Sequence, residues 1–354
     1  MSSTFIKIKS MTFPREIIAG HNAVKRLGEL CIRLELSGKA LIITGKKTNK
    51  VSGKLVNSIL EHELYETETV IFAEASRTNV DICKEKIKRK NASFIVAVGG
   101  GSKIDIAKLS SSELGIPFIS VPTSASHDGI ASPRASIKDF KKTYSVEATM
   151  PLAIVADTSI IVKSPFKLLA SGCADVIANL TAIRDWELAV KLKHDSFSRT
   201  AFMMAKISAD TIIENSGSIK PSHEEIVWLV IRQIITSGLS MGIAGSSRPT
   251  SGSEHLFSHA LDMFAPERAL HGEQCGVGTI MMMHLHGGDW RRIREALRSI
   301  GAPVTAKQLG FSSSEVIKAL MMAHNVRRDR YTILGKTGLS KNVAEKLAQE
   351  TGVI

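Results

Sequence analysis

The sequence predicts an α/β, Rossmann-like doubly wound N-terminal domain followed by an all-α C-terminal domain. Three observations carry that expectation. In the first half, short β-rich runs alternate with helical patterns; after about residue 165 the β-rich runs stop; and one strand pattern runs directly into three consecutive glycines and then a helix. At 354 residues the chain is long enough for two domains. The boundary is expected near Ser164 and Pro165, giving domains 1–164 and 165–354.

Residues 39–44, 69–72, 93–98 and 117–121 are rich in Val, Ile, Leu and Ala, and segments 51–64 and 80–90 between them have helical periodicity. Continuous apolar strands separated by helices indicate a parallel sheet covered on both faces. Residues 134–146 alternate around Asp139 and predict a hairpin, and 152–156 supplies another buried strand. Helices are then expected over 175–193, 198–215, 224–242, 251–264, 272–285, 289–300 and 313–325, several with Ser, Thr or Asp at the N-cap.

Composition narrows the function classes. With 44% hydrophobic and 23% charged residues, the chain can bury a large core. The longest apolar runs, such as 153–156 and 280–283, fall far short of the roughly 18 residues of a membrane span, so no transmembrane segment is expected. The N-terminus lacks an apolar export signal, which makes the cytoplasm the expected compartment. Cys31, Cys83, Cys173 and Cys275 form no Cys-x-x-Cys pair and read as reduced thiols; Cys275, four residues after His271, reads as a packing group. The net charge of +12 is densest over 84–90, but no aromatic residues interleave there, so a solvated helix face is expected and nucleic acid is not a predicted partner. The same charge suits an anionic small-molecule substrate or an anionic membrane surface, and charge alone does not choose between them.

The glycine turn is Gly99-Gly100-Gly101-Ser102-Lys103-Ile104-Asp105. A backbone without Cβ atoms can approach a ligand closely, and the amides of the following helical turn can meet a phosphate. The turn differs from the Gly-x-Gly-x-x-Gly fingerprint and follows the third predicted strand, not the first. The next strand ends in a hydroxyl-rich loop, Thr123-Ser124-Ala125-Ser126-His127-Asp128, continuing to Ser132. In open α/β sheets ligands sit at that carboxyl edge. Asp128 suits either a substrate hydroxyl or an Asx turn.

His255, His259 and His271 fall within one short span. His255 and His259 share a helix face, and His271 opens the next segment after Pro266. Leu256 occupies the position where a zincin metalloprotease carries Glu, which disfavours proteolysis. The remaining choices are ordinary helix histidines or a mononuclear zinc or iron(II) site completed by a carboxylate such as Asp175, otherwise read as a residue near a helix start.

Taken together, the glycine turn through Lys108, the Pro122-Thr123 loop, Asp175 and the three histidines resemble the iron-containing alcohol dehydrogenase and dehydroquinate synthase superfamily. Segments 122–136 and 246–255 resemble its archaeal glycerol-1-phosphate dehydrogenase branch, over nearly the whole chain. The resemblance implies metal ligands Asp175, His255 and His271, substrate contacts Asp128, Asp175 and His259, and cofactor contacts from Gly99 through Asp105, Thr123 through Ser126, and Ser132. It implies one Zn2+ per subunit, with Fe2+ as the other candidate, and reduction of dihydroxyacetone phosphate to sn-glycerol 1-phosphate for ether-lipid synthesis. The alternatives are a glycerol dehydrogenase and a dehydroquinate synthase-like lyase. Arg248, just before the metal helix, is the candidate for the substrate phosphate, and Lys46 and Lys47 after Gly45 suit a 2′-phosphate, so use of both NAD(H) and NADP(H) is expected. A homo-oligomer is also expected.

Overall fold

The computed structural model describes residues 11–139, 142–266 and 268–354. Six strands form one parallel sheet: β1 (Glu16–Gly20), β2 (Lys39–Thr44), β3 (Thr67–Ile71), β4 (Ala92–Gly99), β5 (Phe118–Pro122) and, after a hairpin, β8 (Ala153–Asp157), in the order β1-β8-β5-β4-β2-β3. The hairpin strands β6 (Arg134–Asp139) and β7 (Lys142–Glu147) pair antiparallel as expected; the residues joining them lie outside the described set. The central strands are buried along their length, which is why they read as unbroken apolar runs.

The sequence reading missed β1. Its half-exposed residues pair only with β8, so no continuous apolar run marks it. The glycine turn therefore follows the fourth strand, not the third. Chain order reverses across β2 and β4, where the loops after Thr44 and Gly99 lie side by side: a Cβ on Gly45 would come within 2.9 Å of the Lys103 side chain. That reversal is where open α/β sheets form their ligand crevice.

Beyond β8 the described chain contains helices and no strand. The longest, Phe166–Lys193, starts nine residues before the expected position, because its first turns, Lys167 apart, are apolar or small and give no amphipathic signal. Asp175 consequently lies inside the helix, not at its start. Two helices, Phe166–Lys193 and Glu224–Ala244, are long and apolar enough to cross a membrane, which the search for apolar runs did not anticipate. In the most apolar stretch of each, 78% and 50% of residues are buried inside this protein, and both pack as core helices. The helices Leu27–Arg33 and Lys341–Glu350 were also unanticipated.

The helical half closes on the sheet half through tight contacts at helix glycines, among them Gly172 and Gly238. A Cβ on Gly172 would come within 2.1 Å of the Ala125 carbonyl oxygen. Only glycine lets the Asp175 helix lie against the loop after β5, and this places Asp175 beside Asp128.

Candidate active site

The two halves enclose a cleft of about 510 Å³ whose wall includes Gly101, Ser102, Asp105, Ser126, Asp128, Ser132, Asp175, His255, His259 and His271. Gly101 and His271, 170 positions apart, thus meet in one cavity. Gly99, Gly100, Lys103, Ile104, Thr123, Ser124 and Ala125 stand behind that wall, with Ile104 and Ala125 fully buried.

Three helices position the metal candidates. Asp175 comes from Phe166–Lys193, His255 from Ser253–Asp262, and His271 is the first residue of His271–Leu285. The Oδ1 atom of Asp175 lies 3.7 Å from His255 Nε2 and 3.7 Å from His271 Nε2. It is buried and has no hydrogen-bond partner among the described residues. A buried carboxylate oxygen without a partner requires an explanation, and one cation bonded to it and to both imidazoles provides it. The donor set of one carboxylate and two imidazoles suits zinc or iron(II). Cys275, read from sequence as a packing group, belongs to the same cluster: its Sγ is 3.6 Å from His271 Nε2. All four cysteines are free and buried, and burial holds the Cys275 thiol well above its usual pKa.

Neighbouring groups fix the imidazole tautomers. His255 Nδ1 donates to Glu254 Oε1 at 2.8 Å, leaving Nε2 to face Asp175. Glu254 also accepts from Gly252 N and from the Thr181 hydroxyl. His271 Nδ1 is 3.1 Å from Ser258 Oγ, which donates to Gln274 Oε1, whose amide donates in turn to Asp262. Both imidazoles therefore have a ring nitrogen free for a cation, as metal-bound histidines do. Sequence reasoning missed Glu254 and Ser258, although both sit beside the histidines they orient.

Burial governs the charge states. It pushes His255 and His259 well below the ordinary imidazole pKa, with His271 adding to the effect. All are neutral at pH 7, as ligation requires. Burial also raises Asp128 and Asp175, each to about 7, and the two are linked by a 3.0 Å bond from Asp128 N to Asp175 Oδ2. Asp128 Oδ2 accepts from the Ser237 hydroxyl.

On the cofactor side, Gly100 caps the helix Gly101–Leu114, and none of the three glycines has positive φ. Close packing is the better reason for Gly101: an added Cβ would sit 2.0 Å from His127 Nε2. His127 is partly buried on the cleft wall, accepts from Gly129 N through Nδ1, and is pushed down to about pKa 3 by desolvation. Lys108, also buried, reaches Asp105 and Ser132 and donates to the Arg134 carbonyl, tying the glycine-turn helix to the hairpin. Arg248 lies apart from the cleft wall. Its guanidinium is committed to the Asp195 carboxylate and the Tyr331 carbonyl. The cleft-lining arginines are Arg134 and Arg327, which sequence reasoning did not select.

Residues 18–165 match the family model described as iron-containing alcohol dehydrogenase. A glycerol-1-phosphate dehydrogenase (NAD(P)+) of Methanosarcina mazei is 52% identical over 98% of this chain and 97% of its own length. The enzyme of the same name from Picrophilus torridus is 50% identical over 99% of each chain. Among solved structures, glycerol dehydrogenase from Schizosaccharomyces pombe shares the fold, with a TM-score of 0.78 over 98% of this chain and 91% of that one at 19% identity. The chain is an oxidoreductase that belongs to the glycerol-1-phosphate dehydrogenase family of the iron-containing alcohol dehydrogenases.

Proposed function

We propose that the protein reduces dihydroxyacetone phosphate to sn-glycerol 1-phosphate with NADH or NADPH, the step that sets glycerol stereochemistry for ether phospholipids. The observation that carries this reading is the partnerless Asp175 oxygen facing two neutral imidazoles in the same cleft as the glycine turn. Residues 1–164 would form the dinucleotide-binding domain and 165–354 the domain that holds metal and substrate.

Asp175, His255 and His271 would hold Zn2+, and Glu254 and Ser258 would keep the two imidazoles in the ligating tautomer. When bound, the cation supplies Lewis-acid polarisation of the C2 carbonyl and the reduced nicotinamide supplies the hydride. The glycine turn from Gly99 through Asp105, with Thr123 through Ser126 and Ser132, would seat the nucleotide, its pyrophosphate at the amides opening the helix Gly101–Leu114. His259, neutral and on the cleft wall, would orient the substrate and pass a proton to its oxygen through water. Asp128, anchored by Ser237, would accept a substrate hydroxyl. Lys46 and Lys47 are exposed just past the end of β2, where a 2′-phosphate would lie, which supports use of both nucleotides.

The test is NADH oxidation with dihydroxyacetone phosphate compared with free dihydroxyacetone and with dehydroquinate-synthase substrate. Turnover confined to the phosphorylated ketone supports the reading. Activity only on the unphosphorylated ketone would make the protein a glycerol dehydrogenase, and carbon chemistry without net NADH loss would make it a lyase.

A further inference from the structure

The cleft wall carries more acid than base, with Glu74, Asp105, Asp128, Asp175 and Asp262 among its residues. A phosphate dianion needs a basic subsite to enter such a cavity. Most nearby cations are already engaged. Lys108 is held by Asp105, Ser132 and the Arg134 carbonyl, and Lys138 pairs with Glu74 at 3.0 Å. Arg330 is buried and donates to Ser247 and to the Ser251 carbonyl, and Arg248 is committed to Asp195 and Tyr331.

Arg134 and Arg327 differ from these. Both line the cleft, Arg134 on β6 of the sheet half and Arg327 just after the short turn Ala323–Asn325 of the helical half. Among the described residues no carboxylate hydrogen-bonds Arg134: its Nε donates to Ser145 Oγ at 3.2 Å and one amine to the Ser145 carbonyl at 2.9 Å, with Glu147 its cross-strand neighbour. Arg327 donates only to Asp329, whose side chain is 72% exposed, a contact worth little in water. The two guanidiniums repel: burial first, and then Arg327, lowers the pKa of Arg134. Arg327 also acts electrostatically on His259. Like charges facing one cavity from its two halves, one of them acting on the substrate-side imidazole, are relieved by an anion placed between them.

We propose that Arg134 and Arg327 form the subsite for the phosphate dianion of the ketone substrate, one fork from each half of the chain, and that this pair selects a phosphorylated ketone over a free one. Planar guanidinium forks match phosphate oxygens, and one arginine from each side would draw the halves together over the ligand. The proposal rests on the ketone-reducing reading above.

The experiment compares wild type with Arg134→Gln, Arg327→Gln and the double variant, all zinc-loaded. In each single variant, the ratio of kcat/KM for dihydroxyacetone phosphate to kcat/KM for dihydroxyacetone is expected to fall about 100-fold, mainly through KM. Arg→Lys variants, which keep charge but lose the fork, should recover part of it. Inorganic phosphite should accelerate dihydroxyacetone reduction by wild type and not by the double variant. A ratio unchanged within about threefold, while the phosphorylated ketone is still reduced, overturns the subsite and leaves the reading intact. A loss confined to the KM for NADPH overturns it too, by assigning the pair to the nucleotide. Should Arg134→Gln fail to fold, Arg327→Gln in its surface segment decides. If wild type reduces no phosphorylated ketone, the reading itself fails; calorimetric binding of inorganic phosphate then still judges the pair, since equal binding by wild type and double variant overturns it and binding lost in the variant supports it.

Discussion

The two walls of the cleft are built by different means. The sheet half contributes backbone and hydroxyls, namely the glycine turn after β4 and the loop after β5, and its local sequence determines their shape. The helical half contributes titratable side chains from three helices, the carboxylate of Asp175 and two imidazoles each held in one tautomer by a neighbour. A wall of the first kind, its Asp128 and Arg134 apart, depends on backbone shape and fails when atoms are added. A wall of the second kind fails when a single atom is removed, because each ligand leaves others buried without partners.

The largest expected effect is therefore on the helical wall. Asp175→Ala removes the one carboxylate between His255 and His271, and kcat/KM should fall about a thousandfold or more with loss of bound zinc, checked by elemental analysis beside kinetics. Full metal content in that variant would show that the cation sits elsewhere. Glu254→Gln keeps an acceptor for His255 Nδ1 but removes the charge behind it, so zinc affinity should drop about 10–100-fold in competition with a chromophoric chelator.

The sheet wall should respond to addition. Gly101→Ala places a methyl 2.0 Å from a His127 ring atom, so overpacking should cost about 1–3 kcal/mol of stability in denaturant titration and raise the KM for nucleotide while zinc content is unchanged. A loss of zinc instead would mean that the two walls are not separable.

The smallest effect is a proton count. Burial raises the Asp175 carboxyl to about 7, so below that pH it carries a proton that a cation must displace, whereas His255 is already neutral and has none to release. Zinc binding at pH 6 should therefore release about one proton, and affinity should rise with pH up to about 7 and then level off. Calorimetry in two buffers of different ionisation heat measures this; affinity that falls as pH rises toward 7 contradicts it.

The same contrast decided how much could be read from sequence. The strands β2, β4, β5 and β8 announced themselves because strands buried on both faces need unbroken apolar runs, and the glycine turn because its chemistry is contiguous. The edge strand β1 and the start of the Asp175 helix did not, the first being half exposed and the second lacking a polar face beyond Lys167. His255, His259 and His271 were visible as a cluster, but Asp175 lies 80 residues before His255 and was one candidate carboxylate until the family resemblance selected it as a ligand. Glu254 and Ser258 look like ordinary helix residues until a ring nitrogen is seen beside them. Arg248 attracted notice by its place in the chain, while Arg134 and Arg327 had only a spatial signal, two cations from distant segments facing one cavity.

The central claim is that a cation held by Asp175, His255 and His271 enables ketone reduction in this cleft. The most direct measurement is NADH consumption with dihydroxyacetone phosphate, with the product's enantiomer identified, before chelation, after it, and after zinc is restored. The account predicts sn-glycerol 1-phosphate formed one for one with NADH, activity lost on chelation and recovered with zinc. Undiminished activity in protein shown to be free of metal would contradict it.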